Sequence, residues 1–314
     1  MTNLILQVAS VFEPRSYPSQ GKVRLHTLLG DNPSTRSLKD GTLKSELLSF
    51  DFDDSFKITH DGFKPMVREG RFDCGELAIV TYLQARALGR PLLLLPAPIG
   101  GRFQHHTLAH DASRGTLLPQ GLAGKRIGIR SYTQTTVTWV RGILRTEYGV
   151  SPQDVHWIAQ EDAHMAEYRE PDNVSRIEDR SLSQLLLDGD VDAAILGNKK
   201  PDDPRLQPVI AEPEAVASDW NYRTGIVPMN HIFVARADLS RQRPDVICAL
   251  YDSLLESRDR DIPSEQGRQM RPFTLAALRP SLEAIIDFAL FDGLIDRRLS
   301  VDELFDETTA ALGA

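Results

Sequence analysis

Within the stretch Arg71 to His106 the chain carries a carboxylate at Glu76, a guanidinium at Arg102 and two imidazoles at His105 and His106. Carboxylate and imidazole side chains can exchange protons near neutral pH, and guanidinium binds carboxylates through two parallel hydrogen bonds. The order of the stretch suggests why these groups converge. Residues from Arg71 to Leu77 lead into an apolar helix pattern, Pro91–Pro96 reads as a buried strand, and Gly101–His106 forms a polar tip. In open α/β sheets, loops leaving the carboxyl ends of strands are where ligands bind.

Other residues extend the candidate set. Phe103 to Ala109 reads as a strand, so His105 and His106 point to opposite faces, and one of the two faces the ligand. His231 follows the turn-forming Pro228 and opens an apolar strand, either as a catalytic group or as a hinge hydrogen-bonding residue. Arg36 and Arg102 are candidate anchors for carboxylates, whereas Arg141, inside a helix pattern, suits an ion pair as well as a ligand. Ser131-Tyr132-Thr133-Gln134-Thr135 supplies hydroxyls where a helix begins, which serves N-capping by Ser131 or Thr133 or the seating of an anion. The spacing His105, His106, His110 resembles metal-ligand spacing on a helix. On a strand, however, His106 and His110 stand about 13 Å apart, and no metal is expected.

The elements that must position these groups read as an α/β protein. Strand patterns cover Val23–Leu29, Leu47–Phe52, Leu92–Pro96, Arg126–Ile129, Val155–Ala159 and Ala193–Leu196. Amphipathic helix patterns cover Phe63–Glu69, Glu76–Leu88, Thr135–Tyr148 and Leu182–Asp188, the last ending at Gly189. A mixed sheet covered by helices follows in each of two domains. The first is expected to comprise residues 1–113 plus 229–314, with an extra N-terminal strand and C-terminal helices, and the second is an insertion over 114–228.

With 314 residues, 41% of them hydrophobic, the chain is long enough for two cores. Its formal charge of −8 and its lack of a basic stripe argue against nucleic-acid binding. No signal-peptide pattern and no membrane-length apolar run occurs, so a cytoplasmic location away from membranes is expected. Cys74 and Cys248 lie in apolar contexts and read as buried free thiols.

Several dispersed segments, in order, are similar to one family. They include Gly30-Asp31-Asn32-Pro33-Ser34-Thr35-Arg36-Ser37-Leu38-Lys39-Asp40-Gly41, Phe72-Asp73-Cys74-Gly75-Glu76-Leu77-Ala78 with Thr81-Tyr82-Leu83, Phe103-Gln104-His105, Gly128–Thr135, Trp139–Leu144, Glu147-Tyr148-Gly149-Val150 and Thr224–His231. In these the chain resembles the 4,5-dihydroxyphthalate decarboxylase family, and the resemblance covers nearly everything after about residue 24. It implies a type II periplasmic-binding-protein-like fold with a ligand cleft between the two domains, and no export. Gln104 stands where the family pattern has Arg, and Ser131 where it has Glu.

The resemblance implies decarboxylation of a hydroxylated aromatic acid, with 4,5-dihydroxyphthalate going to protocatechuate or a close analogue of that reaction. The phenol pushes electrons into the ring, the carbon bearing the carboxylate is protonated, and CO2 leaves as aromaticity returns, so no cofactor is expected. His105 falls on the family histidine and is the first choice for proton delivery, with Glu76 either orienting it or acting as the acid, and His231 as a third catalytic candidate. Arg36, Arg102, Ser131, Tyr132, Thr135 and Asn198 are the expected substrate contacts. The expected partner is a small aromatic carboxylate, with homo-oligomerisation left open. Two other readings stand beside this one: a non-catalytic binder of an anionic ligand, and another proton transfer on a related acid.

Overall fold

The computed structural model describes residues 12–197 and 200–314. Its strands are β1 (Val23–Leu28), β2 (Leu48–Phe52), β3 (Cys74–Ala78), β4 (Leu92–Gly101), β5 (Leu108–Asp111), β6 (Arg126–Ile129), β7 (His156–Ala159), β8 (Val174–Arg176), β9 (Ala193–Ile195), β10 (Leu206–Pro208) and β11 (Met229–Arg236). They form a five-stranded sheet in the order β2-β1-β3-β11-β4 and a six-stranded sheet in the order β10-β5-β9-β6-β7-β8. Both sheets are mixed. In the first, β1 runs parallel to β2 and β3 while β11 is antiparallel to β3 and β4.

The chain divides into two compact units. The first contains the described residues up to Arg102 together with Met229–Glu283 and Ile295–Ala314, and the second contains Phe103–Pro228 and Ala284–Leu294. The boundary therefore falls at Phe103 rather than at residue 114, and a piece of the long helix Leu275–Phe291 joins the second unit. That assignment follows from packing which a linear reading of the chain does not contain: Phe288 of this helix meets Trp139 edge-on at 5.7 Å.

In the first unit, Leu25 of β1, Leu95 of β4 and Phe233 of β11 form a core with Val246, Ile247, Leu250 and Leu254 of the helix Pro244–Asp261. The spacing of those four helical residues places them on one stripe. Cys248 falls off that stripe and is exposed, so it is not the buried thiol expected, whereas Cys74 on β3 is buried. β3 itself corrects the expected helix start. Every residue from Cys74 to Ala78 is buried between β1 and β11, and the helix begins only at Ile79. A strand buried on both faces reads as a continuous apolar run, which periodicity alone does not distinguish from the turn of a buried helix.

In the second unit, the helix Thr135–Tyr148 follows β6 and buries all of its first ten residues. The helix Leu182–Asp188 starts at a reciprocal Ser181–Gln184 capping box and stops at Gly189 with φ of 84°. Phe103 to Ala109 is not one strand. His105–Thr107 forms a single 3-10 turn before β5 begins at Leu108, which removes the strict alternation of facing expected for His105 and His106.

Candidate active site

Two neighbouring strands of the first sheet bring a carboxylate and an imidazole together. β11 pairs with β3 so that His231 lies opposite Ala78 and Phe233 opposite Glu76, which makes His231 and Glu76 diagonal neighbours on one face. On its other side β11 shifts register against β4 between Met229 and Phe233, and such irregularities re-aim side chains. The result is a contact of 2.5 Å between His231 Nδ1 and Glu76 Oε1. Glu76 is 2% exposed and His231 34% exposed, so one member is enclosed and the other reaches the surface of its unit. Phe63 meets the imidazole edge-on at 5.3 Å and fixes its plane.

The second carboxylate oxygen is also engaged. Glu76 Oε2 accepts the Gly30 backbone N–H at 3.0 Å and the Asn32 side-chain amide at 3.0 Å. Burial alone would raise the Glu76 carboxyl, but hydrogen bonds from His231, Gly30 and Asn32 and the charge of His231 outweigh it and hold the group below its ordinary value. It is therefore a carboxylate at neutral pH. The Gly30 position is required for this close approach, since a Cβ there would overlap Thr59 Oγ1 and stand 3.1 Å from Glu76 Oε2. Because Nδ1 of His231 is committed to the carboxylate, Nε2 is the nitrogen left for a ligand, and no hydrogen bond to it occurs among the described residues.

Asn32 also lines a depression of about 500 Å³, together with Asp31, Pro33, Arg36, Lys39 and Asp40. Arg36 and Lys39 are one turn apart on the short helix Arg36–Lys39, and Arg36 is exposed there. Lys39 Nζ donates to Leu29 O at 3.0 Å and lies 3.5 Å from an Asp31 carboxylate oxygen. The depression thus carries two cations beside the residue that anchors Glu76. Arg102, at the end of the first unit, is half-buried, and burial lowers its guanidinium from the ordinary value.

In the second unit His105 is 1% exposed and packs edge-on against Trp220 at 5.4 Å. Both ring nitrogens are buried without a hydrogen-bond partner among the described residues. Burial pushes its pKa down to about 4, with the neighbouring Glu147 charge opposing that and His106 adding to it. The imidazole that meets Glu76 within the first unit is that of His231. Ser131, Tyr132, Thr133, Thr135 and Thr136 are all buried around the start of the helix Thr135–Tyr148. The N-cap residue is Gln134, which makes no side-chain cap, so capping by Ser131 or Thr133 does not occur and their hydroxyls lie 3.4 Å from each other. Arg141 is committed to Asp292 at 2.6 Å and to Tyr132 O at 2.8 Å, its guanidinium lying 3.9 Å from the Tyr132 ring centre. That is the ion-pair reading of Arg141. Among the described residues no group of three or more His, Cys, Asp or Glu is placed to hold a metal ion. Asn198 lies outside the described residues.

Asn32 and Lys39 lie in a segment that carries the family resemblance, but sequence reasoning gives neither a role in the site. Asn32 stands four residues before Arg36 in a segment already singled out, and an Asn-Pro turn beside a glycine marks a loop in which a side-chain amide is free to reach a buried carboxylate.

No family model matches the chain. The 4,5-dihydroxyphthalate decarboxylase of Comamonas testosteroni is 29% identical over 253 residues, which span 76% of this chain and 75% of that protein. The enzyme of the same name from Pseudomonas putida is 26% identical over 221 residues, covering 63% of this chain and 81% of that protein. The resemblance to 4,5-dihydroxyphthalate decarboxylases is thus present along most of the sequence. Among solved structures, the periplasmic aliphatic sulphonate binding protein SsuA from Escherichia coli superposes with a TM-score of 0.59 at 11% identity, covering 90% of this chain and 92% of that one. SsuA from Xanthomonas axonopodis pv. citri, bound to MOPS, gives 0.53 at 13% identity over 93% and 99%. The desulfurization enzyme DszB gives 0.52 at 16% identity over 90% and 97%. The fold is the two-domain α/β architecture of periplasmic binding proteins, and the site, not the fold, has to decide between binding and chemistry.

Proposed function

We propose that the chain is a decarboxylase of a hydroxylated aromatic carboxylic acid, converting 4,5-dihydroxyphthalate or a close analogue to the acid with one carboxylate fewer, and that His231 is the residue that exchanges the proton. The observation that carries this reading is the Glu76–His231 pair: a buried carboxylate holding one nitrogen of an imidazole whose other nitrogen has no hydrogen-bond partner among the described residues. The named decarboxylases at 26% and 29% identity supply the substrate class.

The reaction asks for a proton at the ring carbon that bears the departing carboxylate. A hydroxyl para to that carbon loses its O–H proton to solvent and becomes the keto oxygen as the carbon is protonated and becomes tetrahedral, and it takes a proton back when aromaticity returns. The C–C bond to the carboxylate then breaks, its electron pair returns to the ring, and CO2 departs. Net, one proton is consumed and one CO2 released. His231 Nε2–H is the proton source, and Glu76, which touches no reacting atom, is a positioning residue: its carboxylate accepts the Nδ1–H and leaves the exchangeable proton on Nε2. Arg36 and Lys39 hold carboxylate oxygens. In the second unit, the buried hydroxyls of Ser131, Thr133 and Thr135 at the start of the helix Thr135–Tyr148 are suited to an anionic oxygen.

Incubating the protein with 4,5-dihydroxyphthalate and a panel of hydroxybenzoic and phthalic acids, while following CO2 and product by chromatography, tests the reading. CO2 release from one member supports it, whereas thermal stabilisation by the acids without turnover replaces it with ligand binding.

A further inference from the structure

β2 is an edge strand of the first sheet, paired only with β1 among the described strands. Leu48, Phe50 and Phe52 alternate onto one face, and while Leu48 is buried the two phenylalanines are half-buried. Their rings stack with centroids 5.3 Å apart and planes within 9°. They form a wall of a depression of about 400 Å³, which Leu38, Leu43 and Ser253 also line. Three lysines, Lys22, Lys39 and Lys44, line it against one carboxylate, Asp40. Asp40 is already engaged by the Thr42 N–H at 2.9 Å and the Thr42 hydroxyl at 2.7 Å. Lys39 Nζ stands 5.1 Å above the Phe52 ring, while Lys22 Nζ donates to Ser45 O at 2.8 Å.

We propose that this depression is an accessory site for a one-ring aromatic carboxylate, separate from the Glu76–His231 pair. The walls define the ligand. A flat apolar ring has the Phe50–Phe52 surface to pack against, and its carboxylate meets the excess of ammonium groups. A small inorganic anion would leave the phenyl wall wet, and a neutral ring would bring no counter-charge to Lys22 and Lys44, whereas Lys39 already faces Asp31 at 3.5 Å. The depression shares Lys39 and Asp40 with the one beside Asn32, but neither Glu76, His231, Asn32 nor Arg36 lines it. The proposal does not depend on the decarboxylase reading.

Titration of the full chain with benzoate, followed by the NMR signals of Phe50, Phe52 and Lys44, tests it. Benzoate should move these signals with a single saturating curve, and acetate and benzyl alcohol should move them far less at equal concentration. Phe50→Leu, which keeps apolar volume, should weaken this binding about fivefold. Lys44→Gln, at an exposed position, should weaken it about threefold without disturbing the fold. Arg36→Ala, which tests the catalytic reading instead, should leave the titration unchanged. Signals that stay still under benzoate, acetate as effective as benzoate, or equal affinity in the wild type and in Lys44→Gln would each overturn the site.

Discussion

His231 Nδ1 lies 2.5 Å from Glu76 Oε1 although 155 residues separate the two in the chain. The diagonal pairing of β11 with β3 accounts for the meeting, and the Gly30 amide and Asn32 hold the carboxylate from the other side. Each group in this cluster has a defined donor or acceptor role, so each substitution has a defined expectation.

Replacing Glu76 with Gln keeps the volume but puts an amide against His231. The imidazole then accepts at Nδ1 and keeps its proton on Nε2, but giving that proton up would leave an imidazolate rather than the neutral ring whose Nδ1–H the carboxylate accepts. We expect kcat to fall by about 100-fold or more, within the range typical of lost general acid–base function, with KM changing far less. Steady-state kinetics on the acid that the panel identifies, with 15N spectra of the His231 ring, check both parts. An unchanged ring tautomer with unchanged kcat would separate Glu76 from the chemistry.

The same carboxylate sets an acid limit on stability. Because the folded Glu76 is held below its ordinary value of 4.5, the unfolded chain takes up the proton first. The stabilisation is fully present above that ordinary value and is lost as pH falls through the lowered one. The difference in urea midpoint between the wild type and Glu76→Gln should be constant from neutral pH down to mildly acidic conditions, then shrink as the carboxylate protonates.

His105 gives the opposite kind of test. Burial lowers its pKa from 6.5 to about 4, so between those values the unfolded state binds the extra proton and stability falls as the solution is acidified. His105→Phe should flatten that portion of the stability profile, and with both ring nitrogens unpartnered it removes no hydrogen bond seen among the described residues. Turnover should stay within about tenfold of wild type, short of the loss expected for a residue that delivers the proton. A loss of a hundredfold or more with the fold intact would identify His105, rather than His231, as the proton donor.

How much of this was legible in the sequence differs by residue. Helices with one apolar stripe and a glycine stop, such as Leu182–Asp188, are written locally and are where the patterns place them. Glu76 and His231 were each visible as titratable groups at the edge of apolar segments, but their pairing depends on which strand lies beside which, a non-local fact. Glu76 was assigned to a helix because a strand buried on both faces has no alternation to reveal it. His105 is marked by a motif match, whereas the burial of its ring is not encoded in two adjacent residues.

The Arg141–Asp292 pair in the second unit should be structural. Its members are 0% and 3% exposed at the side chain, and burial raises the Asp292 carboxyl more than the attraction of Arg141 lowers it. Arg141→Leu should cost about 3 kcal/mol by stranding a buried carboxyl, measured by denaturant unfolding. Gly142→Ala should also destabilise, because its new methyl group would overlap the Phe288 ring.

The most direct measurement is decarboxylation of 4,5-dihydroxyphthalate in D2O by the wild type and by His231→Gln, following CO2 together with deuterium in the product. The account predicts CO2 release by the wild type with one deuterium at the ring carbon that lost its carboxylate, and a loss of about 100-fold or more in His231→Gln with substrate still bound. CO2 release at the wild-type rate by His231→Gln, or no release from any hydroxylated aromatic acid by the wild type, would contradict it.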